Sequence, residues 1–134
     1  MLTANFFLAE SIIPNNNNSF IINAPNTVFT ALSFPAFLSL DAALVVSGVD
    51  PSSSSSLVVT LLNSDHQTIK ELLTGEAHPS GPKPGKGEVT TLTAVLNLKK
   101  IPIQKEGIYY LSVTFNGIAL AESPLNAVLA TDDL

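Results

Sequence analysis

The run Gly107-Ile108-Tyr109-Tyr110-Leu111-Ser112-Val113-Thr114-Phe115-Asn116-Gly117-Ile118 constrains this chain more than any other stretch. Side chains alternate between the two faces of a β-strand, so Tyr109, Leu111, Val113 and Phe115 share one side and Ser112 and Thr114 the other. Asn116-Gly117 is a residue pair suited to two successive positive φ angles, as a type I′ hairpin turn requires. The segment therefore predicts a strand, a two-residue turn and a return strand. That turn places Phe115 opposite Ile118 and Val113 opposite Leu120.

The rest of the chain offers that hairpin its neighbours. Leu2, Ala4, Phe6 and Leu8 alternate in the opening strand, which ends near Ala9. Pro14 with Asn15, Asn16, Asn17 and Asn18 makes a turn, and Ser19 to Ile22 and Val28 to Leu32 are short strands around the break at Pro25-Asn26. From Phe37 to Val49, Leu38, Leu40, Ala42, Leu44 and Val46 line one face. A helix is the rival reading there, since Leu and Ala favour helices. Pro35 before it, Val45-Val46-Ser47 within it and Gly48 near its end favour a strand.

Asp50-Pro51 and the serine run Ser52 to Ser56 read as a loop, and Leu57 to Leu62 as a strand with Thr68 to Leu73 as its hairpin partner. The stretch Gly75 to Gly87, with its three prolines and four glycines, is expected to hold no regular structure. Val89 to Leu98 alternates well, and Lys99, Lys100 and Pro102 are expected to end it. Pro124 marks a break or an edge before a last strand, Leu125 to Leu129. About eight short strands with closely spaced turns predict an all-β antiparallel sandwich, one domain over residues 1–134.

Gly107-x-Tyr109 at the head of the penultimate strand resembles the tyrosine corner of immunoglobulin-like domains. The resemblance implies that the Tyr109 hydroxyl bonds backbone between Ile103 and Lys105. Cysteines and tryptophan are absent, so the likeness is to the immunoglobulin-like architecture and not to antibody domains. More widely, Phe7-Leu8-Ala9-Glu10, Ile21-Ile22, Phe34-Pro35, Gly107-x-Tyr109, Asn116-Gly117 and Pro124-Leu125 are together similar to a family of small uncharacterised bacterial β-sandwich proteins. That family carries no function to transfer. The Asn and Ser tracts and the missing arginines depart from its pattern.

Composition narrows the function classes. With a formal charge of −5 and six cationic side chains, all lysine, the chain lacks the basic face and the guanidinium groups that nucleic acid demands. Only Glu10, Asp41 and Asp50 carry charge before Asp65. Without cysteine there is no disulfide framework or thiolate metal site, as is usual in cytosolic proteins. The apolar run Leu2 to Ala9 has no preceding cation and is cut by Glu10, so it fits neither a signal peptide nor a membrane span. A bacterial cytoplasmic protein is the expectation, with a signal-less phage or secretion-apparatus component compatible with the same features.

Residues suited to catalysis are few and dispersed. His66 beside Asp65 lies at a hairpin tip, and His78 with Glu76 in the long loop, where exposed polarity is the ordinary state. Lys83 and Lys86 sit among prolines that remove the amides of a phosphate loop. Asp41, Asp50, Glu88 and Glu122 fall on different elements rather than facing each other as a carboxylate pair. Asp41, though within an apolar strand, shares its face with Ser39 and Ser47. Asn17-Asn18-Ser19 fits a glycosylation acceptor but has no secretory context.

No catalytic, metal or cofactor residues are therefore assigned, and the expectation is a protein that is not an enzyme. Val58 and Leu62 on one side of their strand, with Leu57, Val59 and Leu61 on the other, leave apolar surface that another subunit would cover. The expected role is a non-enzymatic interaction or assembly module, a homo-oligomer in the simplest case. Sugar or small-ligand binding through the Ser52 to Ser56 and Gly75 to Gly87 loops is the alternative, but those loops offer no aromatic ring to stack on a sugar.

Overall fold

A computed structural model describes residues 2–14, 20–25, 28–49, 55–77 and 91–130, with backbone alone for 14, 20–25 and 77. Among these residues nine strands form: β1 (Thr3–Pro14), β2 (Phe20–Pro25), β3 (Val28–Ala31), β4 (Ala36–Ser47), β5 (Ser55–Leu62), β6 (Thr68–Ala77), β7 (Thr91–Ile103), β8 (Gly107–Phe115) and β9 (Ile118–Leu129). They make a four-stranded sheet in the order β2-β1-β4-β7 and a five-stranded sheet in the order β3-β9-β8-β5-β6. The all-β expectation holds, and the Phe37 to Val49 segment is strand rather than helix. Its β-branched pair Val45-Val46 and the flanking Pro35 and Gly48 outweigh the helix propensity of its Leu and Ala.

The core lies between the sheets and follows the alternation of each strand. Phe6 and Leu8 from β1, Leu44 and Val46 from β4, and Leu96 and Leu98 from β7 meet Val59 and Leu61 from β5 and Leu111, Val113 and Phe115 from β8. Tyr109 is buried among them, and its hydroxyl donates to the Lys105 carbonyl at 2.8 Å and lies 3.3 Å from the Lys105 amide. The expected bond back to the preceding turn is therefore present. It satisfies a buried phenol that would otherwise be a costly orphan.

Asn116 and Gly117 take φ of 52° and 80°, as the hairpin turn required. Phe115 pairs with Ile118, but a register shift between Val113 and Thr114 puts Ala121, not Leu120, opposite Val113. Asn116 also ties this turn to β5: its side-chain carbonyl accepts the Ser56 amide at 2.8 Å and its own amide donates to the Ser56 carbonyl at 2.9 Å. Two residues of the serine run, Ser55 and Ser56, thus belong to β5, held there by partners sixty residues away in sequence.

Other expectations are corrected in detail. β7 continues through Lys99, Lys100 and Pro102 because Lys100 takes φ of 57° at a register shift against β4, which absorbs one residue and restores Ile101 and Ile103 to the core. β9 runs on through Pro124, opposite Tyr110; β3 borders β9 only from Asn126 onward, so a residue without an N–H costs no bond on that side. β6 extends through Gly75 to Ala77, and the rest of the Gly75 to Gly87 stretch lies outside the described residues. The sheets are not wholly antiparallel, since β3 runs parallel to β9.

Candidate functional site

The four-stranded sheet turns one face to the core and the other outward. On the outer face the ladder sets Thr3, Ser47 and Thr91 in one row, Asn5, Val45 and Thr93 in the next, then Phe7, Ala43 and Val95, then Ala9, Asp41 and Asn97. Twelve positions thus hold a single charge. Ala9, Ala43 and Ile12 are buried in a small cluster of their own with Val95 against them, while Phe7 stands 44% exposed.

The one charge among these twelve positions is already engaged. Asp41 is half-buried, and its Oδ2 accepts the Ile12 amide at 2.8 Å. The bond forms where β1 leaves β4: β1 pairs with β4 from Thr3 to Ala9 and with β2 from Ala9 to Pro14. The carboxylate therefore replaces the ladder partner that Ile12 loses. Asp41→Ala is expected to cost about 2 kcal/mol, since it orphans that amide, read as a lowered urea midpoint with an unchanged slope.

The same parting of β1 from β4 opens a slot of about 450 Å³ at the edge of the molecule. Leu38, Leu40 and Leu125 lie along it, β3 contributes Phe29, and Glu10 is the only charged residue of its lining among the described residues. Leu32 and Phe37, at 87% and 73% exposed, belong to β4 and to the connection that leads from β3 into it.

His66 sits at the β5–β6 tip with φ of 60°, held by an Asn63 side chain that accepts the amides of Asp65 and Gln67 at 2.9 Å. Its ring stacks on Tyr110 at 4.1 Å between centroids, and its Nε2 lies 2.8 Å from Glu122. The imidazole and carboxylate are 51% and 37% exposed. The register that stacks β5, β8 and β9 brings them together, a pairing that sequence reasoning missed because no local spacing encodes it. An open pair with one aromatic neighbour braces the hairpin tip across three strands.

Among the remaining sequence candidates, Glu76 lies on β6, while His78, Lys83, Lys86, Asp50, Glu88, Ser52 to Ser54 and Asn15 to Asn18 lie outside the described residues. Among the described residues no three His, Asp or Glu side chains are grouped to hold a metal ion. No helix there is long and apolar enough to cross a membrane.

These features define an all-β, two-sheet protein that carries a weakly charged block on the outward side of one sheet. The chain belongs to the DUF6941 family, a family of unknown function whose pattern matches residues 4–128. A comparison with curated proteins finds no match. Among solved structures it is similar to part of a crystal structure of beta-glucosidase from Listeria innocua in complex with isofagomine, at 9% identity with a TM-score of 0.51. The likeness covers 93% of this chain and 16% of that one, and it is a likeness of fold.

Proposed function

We propose that this protein is a non-enzymatic interaction module of immunoglobulin-like build that self-associates through the outer face of its four-stranded sheet. The observation that carries the reading is the twelve-position block from β1, β4 and β7 with one charge, and that charge bonded to its own backbone. Two copies each bearing a net charge of −5 repel, so they approach most favourably through a patch without free charge. The block runs from Thr3 to Ala9 on β1, about 20 Å, and across three strands, about 15 Å, a projected area of roughly 300 Å², the size of a typical functional surface patch. The Thr, Ser and Asn side chains at its border can exchange hydrogen bonds across a two-fold axis.

The immunoglobulin-like description is supported by the strand order, with a short β3 parallel to β9 beside β8, β5 and β6, and by the Tyr109 bond to Lys105. A cytosolic setting suits a core packed without cysteine. Light scattering on the native protein at micromolar concentration tests the proposal. The expected mass is at least twice the 14.1 kDa of one chain, and a mass of one chain up to 100 micromolar or so, above the range of specific assemblies, contradicts it.

A further inference from the structure

We infer that Asn116 is a site of spontaneous modification, deamidation through a succinimide closed on the Gly117 nitrogen, and that the bonds from Asn116 to β5 set its rate. Asn116-Gly117 is the one Asn-Gly step in the chain, and both residues are exposed at the β8–β9 turn. Gly117 has no side chain to hinder attack by its own nitrogen, and beyond its chain neighbours no described atom lies within 4 Å of where a Cβ would stand. The reaction needs only water. The Gly117 amide gives its proton to hydroxide, and its nitrogen attacks Cγ of Asn116. As that C–N bond forms, the bond from Cγ to Nδ2 breaks, and the leaving nitrogen takes a proton from water and departs as ammonia. Water then opens the ring at either carbonyl, giving aspartate or, with the main chain rerouted through the side chain, isoaspartate.

The fold holds this reaction back in two ways. Asn116 and Gly117, at φ of 52° and 80°, form a type I′ turn, which keeps ψ of its first central residue small and positive, whereas the planar ring requires a strongly negative ψ. Both polar atoms of the carboxamide are also spent on β5: Oδ1 accepts the Ser56 amide at 2.8 Å, and Nδ2 donates to the Ser55 hydroxyl at 3.3 Å. The Asn116 amide adds a bond to the Ser56 carbonyl at 2.9 Å. The carboxamide must therefore leave β5, and the turn must relax, before Cγ meets the nitrogen. Ser55 and Ser56 are the first residues of β5, and the end of a strand opens at lower cost than its centre.

The products alter the same junction. Aspartate keeps an oxygen for the Ser56 amide but has no donor for Ser55, which is buried. Isoaspartate lengthens the main chain by one atom inside a two-residue turn, so the hairpin and its bonds to β5 no longer fit together. Deamidation thus loosens the end of the seam between β5 and β8. It lies on the five-stranded sheet and does not depend on self-association.

The test is peptide mapping by mass spectrometry of the native protein aged in mildly alkaline buffer, with isoaspartate resolved by chromatography and the chain unfolded in guanidinium chloride as reference. Conversion at Asn116 is expected in both, about tenfold to a hundredfold slower in the native protein, because the reactive form is reached only through local opening. Ser55→Ala is expected to speed the native rate about threefold, the worth of one neutral hydrogen bond, and far-UV circular dichroism verifies that it folds. Val46→Ala, a deletion in the core of the other sheet, lowers global stability and is expected to leave the rate at Asn116 unchanged. A native rate equal to that of the unfolded chain overturns the inference, as does native conversion confined to other asparagines. So does no native conversion over about a hundred half-times of the unfolded chain, the slow limit of the expected range. No acceleration in Ser55→Ala, or an equal acceleration in Val46→Ala, which would place the gate in global unfolding, removes β5 from control of the rate.

Discussion

Leu111→Ala is expected to lower the unfolding free energy by about 3 kcal/mol, within the range for leucine deletion in a packed core. Leu111 is fully buried at the middle of β8, between Leu61 on β5 and Ser123 on β9 in the ladder. Removal of its isobutyl group leaves a cavity that β5 and β9 cannot close without moving their own paired backbones. A domain with the usual stability of about 5–15 kcal/mol would lose a large part of it. The check is a denaturant titration: the midpoint falls while the slope is unchanged. Ser112→Ala, on the outward side of the same strand, is the control and is expected to change stability by less than about 0.5 kcal/mol. Equal effects at the two positions would contradict the assignment of faces.

The second large effect concerns association. Asn5→Lys with Thr93→Lys places two cations on either side of Val45 in one row of the outer face, on side chains that are both exposed. In a two-fold assembly each copy presents the pair to its mate, and like charges brought together cost several kcal/mol, so the dissociation constant is expected to rise by about a hundredfold or more. Circular dichroism and the denaturation midpoint are expected to stay near the native values. The measurement is molar mass against concentration for the native and the doubly substituted protein. The same mass curve for both would remove the outer face from the account.

The strands were legible in the sequence wherever one face is buried, because burial enforces alternation. β8 with its Asn116-Gly117 turn is the clearest case, and the Tyr109 bond to Lys105 follows from a local pattern. Details that depend on distant neighbours were not legible. Pro124 stays within β9 where β3 is too short to reach it, and Ser55 and Ser56 enter β5 where β6 and Asn116 meet them. The twist that lets Lys100 absorb an extra residue in β7 is set by its register against β4.

The candidate surface was half visible. Scarcity of charge before Asp65 was plain, but Asp41 read as an ordinary exposed acid until the departure of β1 from β4 gave it the Ile12 amide. The slot beside Glu10 has the same origin, since one strand changing its partner is a tertiary event without a local signature. His66, Tyr110 and Glu122 meet through the pairing of three strands, and their separation in sequence hid them.

The most direct measurement of the central claim is a dilution series of backbone amide spectra of the native protein, from about 500 down to about 10 micromolar, a span that brackets weak specific association. Concentration-dependent shifts are expected in the outer-face residues Asn5, Phe7, Ala43, Val45, Thr93 and Val95 and their neighbours on β1, β4 and β7. Spectra that do not change with concentration at a one-chain mass, or changes confined to the five-stranded sheet, would contradict it.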